Sequence, residues 1–407
     1  MRFLYRVVIL AIIAVLCLYL IKYPFSSKTE DILSTIENPL IEQYPEQEGI
    51  ARSYLSQNRR YIYDAMYYAV DTCSDSVSFA ISGYTEADIE NVLISILNDC
   101  PQFFYMDYSK CSFTVDENGV NILLNYLYGV DDIQKMKTRV TSEVDALVSS
   151  TEAQGYLTEY EKAVYVHDAI AVMCEYDSSL KGYDIHNVYG TLVGKKAVCD
   201  GYAHSLQLIL KQLGIECHYV TGEARGPNGV DGHAWNIAKL DGIYTIIDLT
   251  WNDIDSYMFE SFIAPSGDIT SHIFFGISDE ELKQTHKVDD SLIYPLPEAV
   301  DMNWFMYNGL EGKSIESISD RASDILVDNI SKTIPYVEIR ITDQEVFREF
   351  FEEFSPEIID KANEKLEERG IDKRFKSEMN CFVTYADKGC ILIVVELGAT
   401  YDETDSQ

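Results

Sequence analysis

The run Gly232-His233-Ala234-Trp235-Asn236-Ile237-Ala238-Lys239-Leu240-Asp241-Gly242-Ile243-Tyr244-Thr245-Ile246-Ile247-Asp248 sets an Asp-Gly pair between two apolar segments. Asp-Gly is a preferred two-residue hairpin turn, because both central positions of a type I′ turn need positive φ. Pairing Leu240 with Ile243 across that turn puts His233 opposite Thr250 and Trp235 opposite Asp248. His233 and Asp248 then form a diagonal pair on one face, with Cβ atoms at most about 7–8 Å apart, a gap that an imidazole and a carboxylate can close. A slip of one residue would send them to opposite faces.

Upstream, Ala197-Val198-Cys199-Asp200-Gly201-Tyr202-Ala203 opens a segment with Leu206, Ile209, Leu210 and Leu213 at helical spacing, and Gly214 stands where a left-handed cap would close it. Cys199 is thus expected at a helix start, where amide groups and the helix dipole favour a thiolate and lower the thiol pKa. A thiolate, an imidazole and a carboxylate are the parts of covalent acyl transfer. Cys199 is the nucleophile, His233 the base, and Asp248 the group that fixes the imidazole tautomer. Each alone is more often a core thiol, a satisfied polar group or a cap. Their combination carries the reading, because the helix start and the hairpin are separate arguments. A zinc site built from Cys199, His204, Cys217, His218 and His233 has neither CxxC nor HExxH spacing, and Cys217 and His218, adjacent on a strand, point apart. No metal and no cofactor is expected, and Trp235 and Trp251 read as strand core.

At these residues the sequence resembles the transglutaminase-like superfamily of papain-related folds, in particular its secreted bacterial members. The likeness rests on residues 197–203, on Gly232-His233-Ala234-Trp235-Asn236, and on Ile247-Asp248-Leu249-Thr250-Trp251-Asn252-Asp253. Weaker similarity runs from Glu161 to about Asn308, through Tyr165-Val166-His167-Asp168 and Tyr176-Asp177. The resemblance implies that Cys199, His233 and Asp248 fall on the family's triad. It implies acyl transfer on protein or peptide amides, cell-wall peptide among them, through a Cys thioester. Water as acceptor gives a peptidase or amidase, and an amine gives a transglutaminase. His204 departs from the small or apolar residue expected there and implies a more polar cleft floor. The alternative is a non-catalytic binding or structural module that retains the fold.

The 407 residues carry a net charge of -35, which argues against nucleic acid or an anionic bilayer surface as a partner bound through a basic patch. Arg2 and Arg6 precede an apolar run from Val7 to Ile21, closed by Lys22 and Pro24, with no small-residue cleavage site after it. This predicts a retained signal-anchor, with the basic flank in the cytoplasm and the soluble domains extracellular on a single-pass cell-membrane protein. Of nine cysteines, Cys100 and Cys111 are the expected pair if any disulfide forms.

Two further segments read alike. Val77, Phe79 and Ile81 alternate, Thr85 with Asp88 caps a helix to Leu97, and strands over 103–115 and 120–128 meet at Asn118-Gly119. Val337, Ile339 and Ile341 alternate, Thr342 and Glu345 form a capping box, and two helices precede a hairpin around Asp387-Lys388-Gly389. The expected fold class is α+β, with a central papain-like, transglutaminase-like domain between two small β-α-β-β modules and an N-terminal membrane helix. The expected boundaries are 1–25 for the signal-anchor helix, 26–50 for the tether, 51–130 for the N-terminal module, 131–310 for the central domain and 311–407 for the C-terminal module.

Overall fold

Alternation along the central hairpin strands decides the layering of the molecule. Trp235, Ile237 and Ile246 face one apolar core, whereas Ala238, Leu240 and Ile247 face another. The sheet that carries them is therefore buried on both sides. The computed structural model describes residues 44, 46–80, 83–116, 119–226, 229–253, 269–289, 295, 297, 302–332, 335–352, 357–385 and 389–397. The expected anchor over 1–25 and most of the tether over 26–50 lie outside them. Among the described residues no helix is long and apolar enough to cross a membrane.

The chain enters through helices α1 (Ile50–Ser53) and α2 (Gln57–Asp71), strand β1 (Ser76–Phe79), helix α3 (Glu86–Asp99) and strands β2 (Ser112–Asp116) and β3 (Gly119–Leu123). The three strands run in the order β1-β3-β2. Thr85 and Asp88 close the capping box at the start of α3. The strand expected from Phe103 is shorter, because 3-10 turns at Pro101–Phe103 and Tyr108–Lys110 occupy its first part. Cys100 and Cys111 are free thiols with different partners: Cys100 lies beside the Tyr63 hydroxyl, whereas Cys111 donates to the Asp107 carbonyl. The expected pair is not formed.

Helices α4 (Val130–Ala153) and α5 (Glu159–Met173) follow, then short strands β4 (Glu175–Tyr176) and β5 (Lys196–Ala197) and helix α6 (Cys199–Gln212). The main sheet is built from β6 (Cys217–Gly226), β7 (Gly229–Leu240), β8 (Ile243–Ile247), β9 (Phe275–Ile277) and β10 (His286–Val288), in the order β10-β6-β7-β8-β9. Helices α7 (Leu249–Asn252) and α8 (Asp279–Leu282) interrupt it. Leu206, Ile209 and Leu210 of α6 join Ala238, Leu240 and Ile247 in one core, which continues into the N-terminal helices.

The second core lies on the other face and joins Val220, Trp235 and Ile246 to the C-terminal elements. Those are α9 (Trp304–Tyr307), β11 (Glu311–Gly312), α10 (Ile315–Asp328), β12 (Tyr336–Ile341), α11 (Gln344–Glu352), α12 (Glu357–Glu368), β13 (Phe375–Tyr385) and β14 (Cys390–Leu397). Their sheet runs β11-β12-β14-β13, so its last three strands repeat the first-third-second order of the N-terminal sheet. The cap of α11 is Asp343, whose carboxylate accepts from the N–H of Glu345 and of Val346, rather than the expected Thr342. A carboxylate at the N-cap satisfies two orphan amides at once.

Candidate active site

Three local features bring the site together. The first is the turn: Asp241 and Gly242 hold φ of 51° and 87°, the left-handed pair of a type I′ turn, and Leu240 pairs with Ile243. Pairing continues to Asn236 with Ile247, after which the returning strand ends. This differs from the expected strand through Trp251, because Asp248 leaves the ladder to cap α7, its carboxylate accepting from Trp251 N–H at 3.0 Å. The same carboxylate still reaches His233, with Nε2 and Oδ2 2.7 Å apart and both residues buried.

The second feature is the start of α6. Val198 is its N-cap residue in extended backbone and Cys199 its first residue. Gly201 lets that turn sit close to its surroundings. A Cβ there would stand 2.8 Å from each of Ala197 Cβ, the Ile185 carbonyl and Thr191 Oγ1. The third is Asn236, whose buried side chain donates to the Ala203 carbonyl at 3.0 Å and to the His218 carbonyl at 3.2 Å. It ties the strand of the base to the helix of the thiol.

Cys199 is half-buried, and the imidazole of His233 and the N–H of Ala234 both stabilise its thiolate. Burial nevertheless pushes the thiol above its ordinary pKa, and the Asp200 carboxylate adds to this. The sequence expectation of a lowered pKa is therefore corrected: burial of the sulfur, with Asp200 beside it, outweighs the stabilisation that His233 and the Ala234 N–H give the thiolate. Burial also opposes charge on His233, but Asp248 and then Cys199 outweigh it and lift the imidazole to about 10. Asp248 sits well below the carboxylate range despite its burial, because His233 and His286 stabilise its charge.

His286 escapes the sequence reading. Fully buried at the start of β10, it brings Nε2 within 3.0 Å of Asp248 Oδ2, and its Nδ1 lies 2.8 Å from Thr285 Oγ1. Asp248 therefore meets three nitrogens, one from each imidazole and one from the backbone. The only sequence signal was a histidine on a short β-prone segment, without a motif. Trp251 packs over both rings, 5.5 Å from His233 and 4.4 Å from His286 between centroids.

The five residues of the zinc reading do not assemble. Cys217 is buried, His218 bonds Glu216 at 3.0 Å, and His204 stacks on Tyr219 with centroids 4.0 Å apart. Among the described residues, the groups with metal-compatible spacing are instead His233-Asp248-His286 and His167-Asp168-His272. In the first, each imidazole already directs a nitrogen at Asp248.

A family model for the transglutaminase-like superfamily matches residues 148–251. The human (Homo sapiens) kyphoscoliosis peptidase is 28% identical over 131 residues, which are 30% of this chain and 20% of that protein. The chain thus spans about a fifth of the length of this curated relative. A solved TGase structure shares 14% identity over 43% of this chain and 50% of its own, at a TM-score of 0.25. The match to the family model covers the helix of Cys199 and the hairpin of His233 and Asp248, and over residues 148–251 the chain carries a transglutaminase-like domain.

Proposed function

We propose that the protein carries out thiol-dependent acyl transfer on protein or peptide amides through a thioester on Cys199. The observation that carries this reading is the buried His233 to Asp248 bond of 2.7 Å, whose imidazole also stabilises the Cys199 thiolate. The reactive form of the pair has lost one of the two protons that Cys199 and His233 hold at neutral pH, and in the first half-reaction the proton that remains rests on His233 as sulfur attacks the amide carbon. His233, now an imidazolium held by Asp248, returns that proton to the leaving amine as the C–N bond breaks. The second half-reaction repeats the transfer with water or an amine as the attacking group. Because the thiol is held up by burial, proton transfer accompanies attack, and Asp248 favours its arrival on the imidazole.

Transglutaminase-like proteins support this chemistry at the level of the family. In our reading the N-terminal apolar run anchors the protein in the cell membrane, the acceptor meets the site on the outer side, and the two outer sheets position the substrate. Incubating the full-length protein with a peptide mixture, with and without a labelled primary amine, tests the activity. New termini without amine or label in glutamine side chains with it support the reading. Neither product, with Cys199 intact, overturns it.

A further inference from the structure

The His167-Asp168-His272 cluster has the residue types of a metal site, but its tautomers decide otherwise. Phe274 N–H donates to Asn252 Oδ1 at 2.8 Å, which turns the Asn252 amide nitrogen toward His167 Nε2, 2.9 Å away. That Nε2 must accept, so the His167 proton is on Nδ1, pointing at Asp168 Oδ1 at 2.9 Å. The one ring nitrogen of His167 that faces the cluster is therefore a donor. His272 Nε2 donates to the same Asp168 oxygen at 2.9 Å. What remains is a directed chain of hydrogen bonds from Asn252 of α7 to the imidazole of His272.

The backbone that carries His272 is held in turn by Glu338, a buried carboxylate on β12. It accepts from Ser271 Oγ at 2.7 Å and from His272 N–H at 2.8 Å, and the next strand residue but one, Tyr336, takes Thr270 N–H on its hydroxyl at 3.3 Å. Trp304 stacks on His272 with centroids 4.1 Å apart. The segment so held grips both ends of the short helix that follows Asp248. Phe274 accepts Asp248 N–H at 2.9 Å, and Ser271 N–H donates to the Asn252 carbonyl at 2.9 Å.

We infer that Glu338 is a positioning residue for Asp248: the C-terminal sheet completes the catalytic apparatus by fixing segment 270–274, which in turn fixes α7 and its capping carboxylate. This rests on the reading of Cys199, His233 and Asp248 as the reactive group. Glu338 touches none of them; it acts through a helix of four residues that is too short to hold itself.

The test uses the full-length chain in three variants: Glu338→Ala, Glu338→Gln and Ile339→Ala. The glutamine variant keeps an acceptor for the same two donors, whereas the Ile339 side chain lies in the C-terminal core and serves as a control for lost stability. Two readouts apply, hydrogen exchange of the 248–252 amides and the pH profile of Cys199 alkylation by iodoacetamide. Glu338→Ala should speed exchange at 248–252 and slow alkylation at least tenfold, with an altered pH profile, and Glu338→Gln should restore most of both. Ile339→Ala should lower the melting temperature and move neither at a temperature where it is folded. The inference is overturned if Glu338→Ala leaves both readouts at the wild-type level, or if Ile339→Ala reproduces them. Absence of substrate turnover in the wild type would count against the proposed activity alone, because neither readout needs substrate.

Discussion

Two histidine-aspartate-histidine groups lie among the described residues, and they differ in what stands beside them. In one, Asp248 is fully buried, shared by His233 and His286, and a half-buried thiol adjoins the first imidazole. In the other, Asp168 is partly exposed, shared by His167 and His272, and the flanking groups are Asn252 and Glu338. In each group one imidazole spends both ring nitrogens on partners, His286 in the first and His167 in the second. The nitrogen left over belongs to His233, beside the Cys199 thiol, in the first, and to His272, buried 3.8 Å from Glu338, in the second. Identical residue types thus give a candidate reaction centre in one place and a brace in the other, and what the remaining imidazole nitrogen faces, a thiol or a carboxylate, tells them apart.

The sharpest break between the two groups should come from mutating their aspartates. Asp248→Asn presents an amide that favours the wrong imidazole tautomer, and a loss of about 10³–10⁴ in the rate of Cys199 acylation is expected with the fold intact. His233→Ala should be at least as damaging, and the double variant little worse than the worse single one, since residues acting as a unit are not additive. Multiplied losses would show that the two act separately. Asp168→Asn should instead act mainly on stability and on α7, with a much smaller loss of acylation in the folded fraction.

His286→Ala sharpens the comparison within the first group. It removes one of the donors to buried Asp248, so a cost of about 1–3 kcal/mol, roughly 5-fold to 150-fold if it falls on the transition state, is expected. Single-turnover acylation rates measure it, and an unchanged rate would reduce His286 to packing.

pH separates the groups from the stability side. His272 lies buried between Asp168 and Glu338; burial opposes its charge, but the two carboxylates lift it to about 9. Both His272 and His233 are raised above their unfolded value, so the stability they contribute is fully present below about pH 6.5 and is lost as pH rises through about 9 and about 10. Asp168 and Asp248 are depressed, so their contribution is present above about pH 4 and is lost on acidification. The urea midpoint should therefore be highest between about pH 5 and 6.5 and fall toward pH 10. His272→Asn should flatten the alkaline fall, and an equally steep fall in that variant would show that His272 is neutral in the native protein.

The smallest effect concerns the frame. Thr158 and Glu161 cap α5, the helix that carries His167 and Asp168, and Thr158→Ala should cost about 1 kcal/mol without changing acylation. Denaturant titration checks the first half and labelling of Cys199 the second.

What the sequence disclosed follows the range of its signals. The hairpin register was legible because Asp241-Gly242 permits one turn type, and the helix of Cys199 because apolar spacing and Gly214 bound it. The cap at Asp248 was not, since a helix of four residues has no periodicity to detect. His286 and Glu338 were invisible for another reason. They reach the site through strand pairing and core packing across 38 and 66 residues of chain, respectively, which no local pattern encodes. The thiol pKa was misjudged because the helix start is written in the sequence and burial beside Asp200 is not.

The most direct test of the central claim is the reaction of the wild-type protein with an activated ester such as p-nitrophenyl acetate, followed by peptide mapping of the acylated enzyme. The account predicts a burst of released nitrophenol, one acetyl group on Cys199 that a primary amine discharges, and a burst rate that climbs from pH 7 toward pH 10 as the raised thiol ionises. An acetyl group on Cys73, Cys111 or Cys217 with Cys199 unmodified would contradict it.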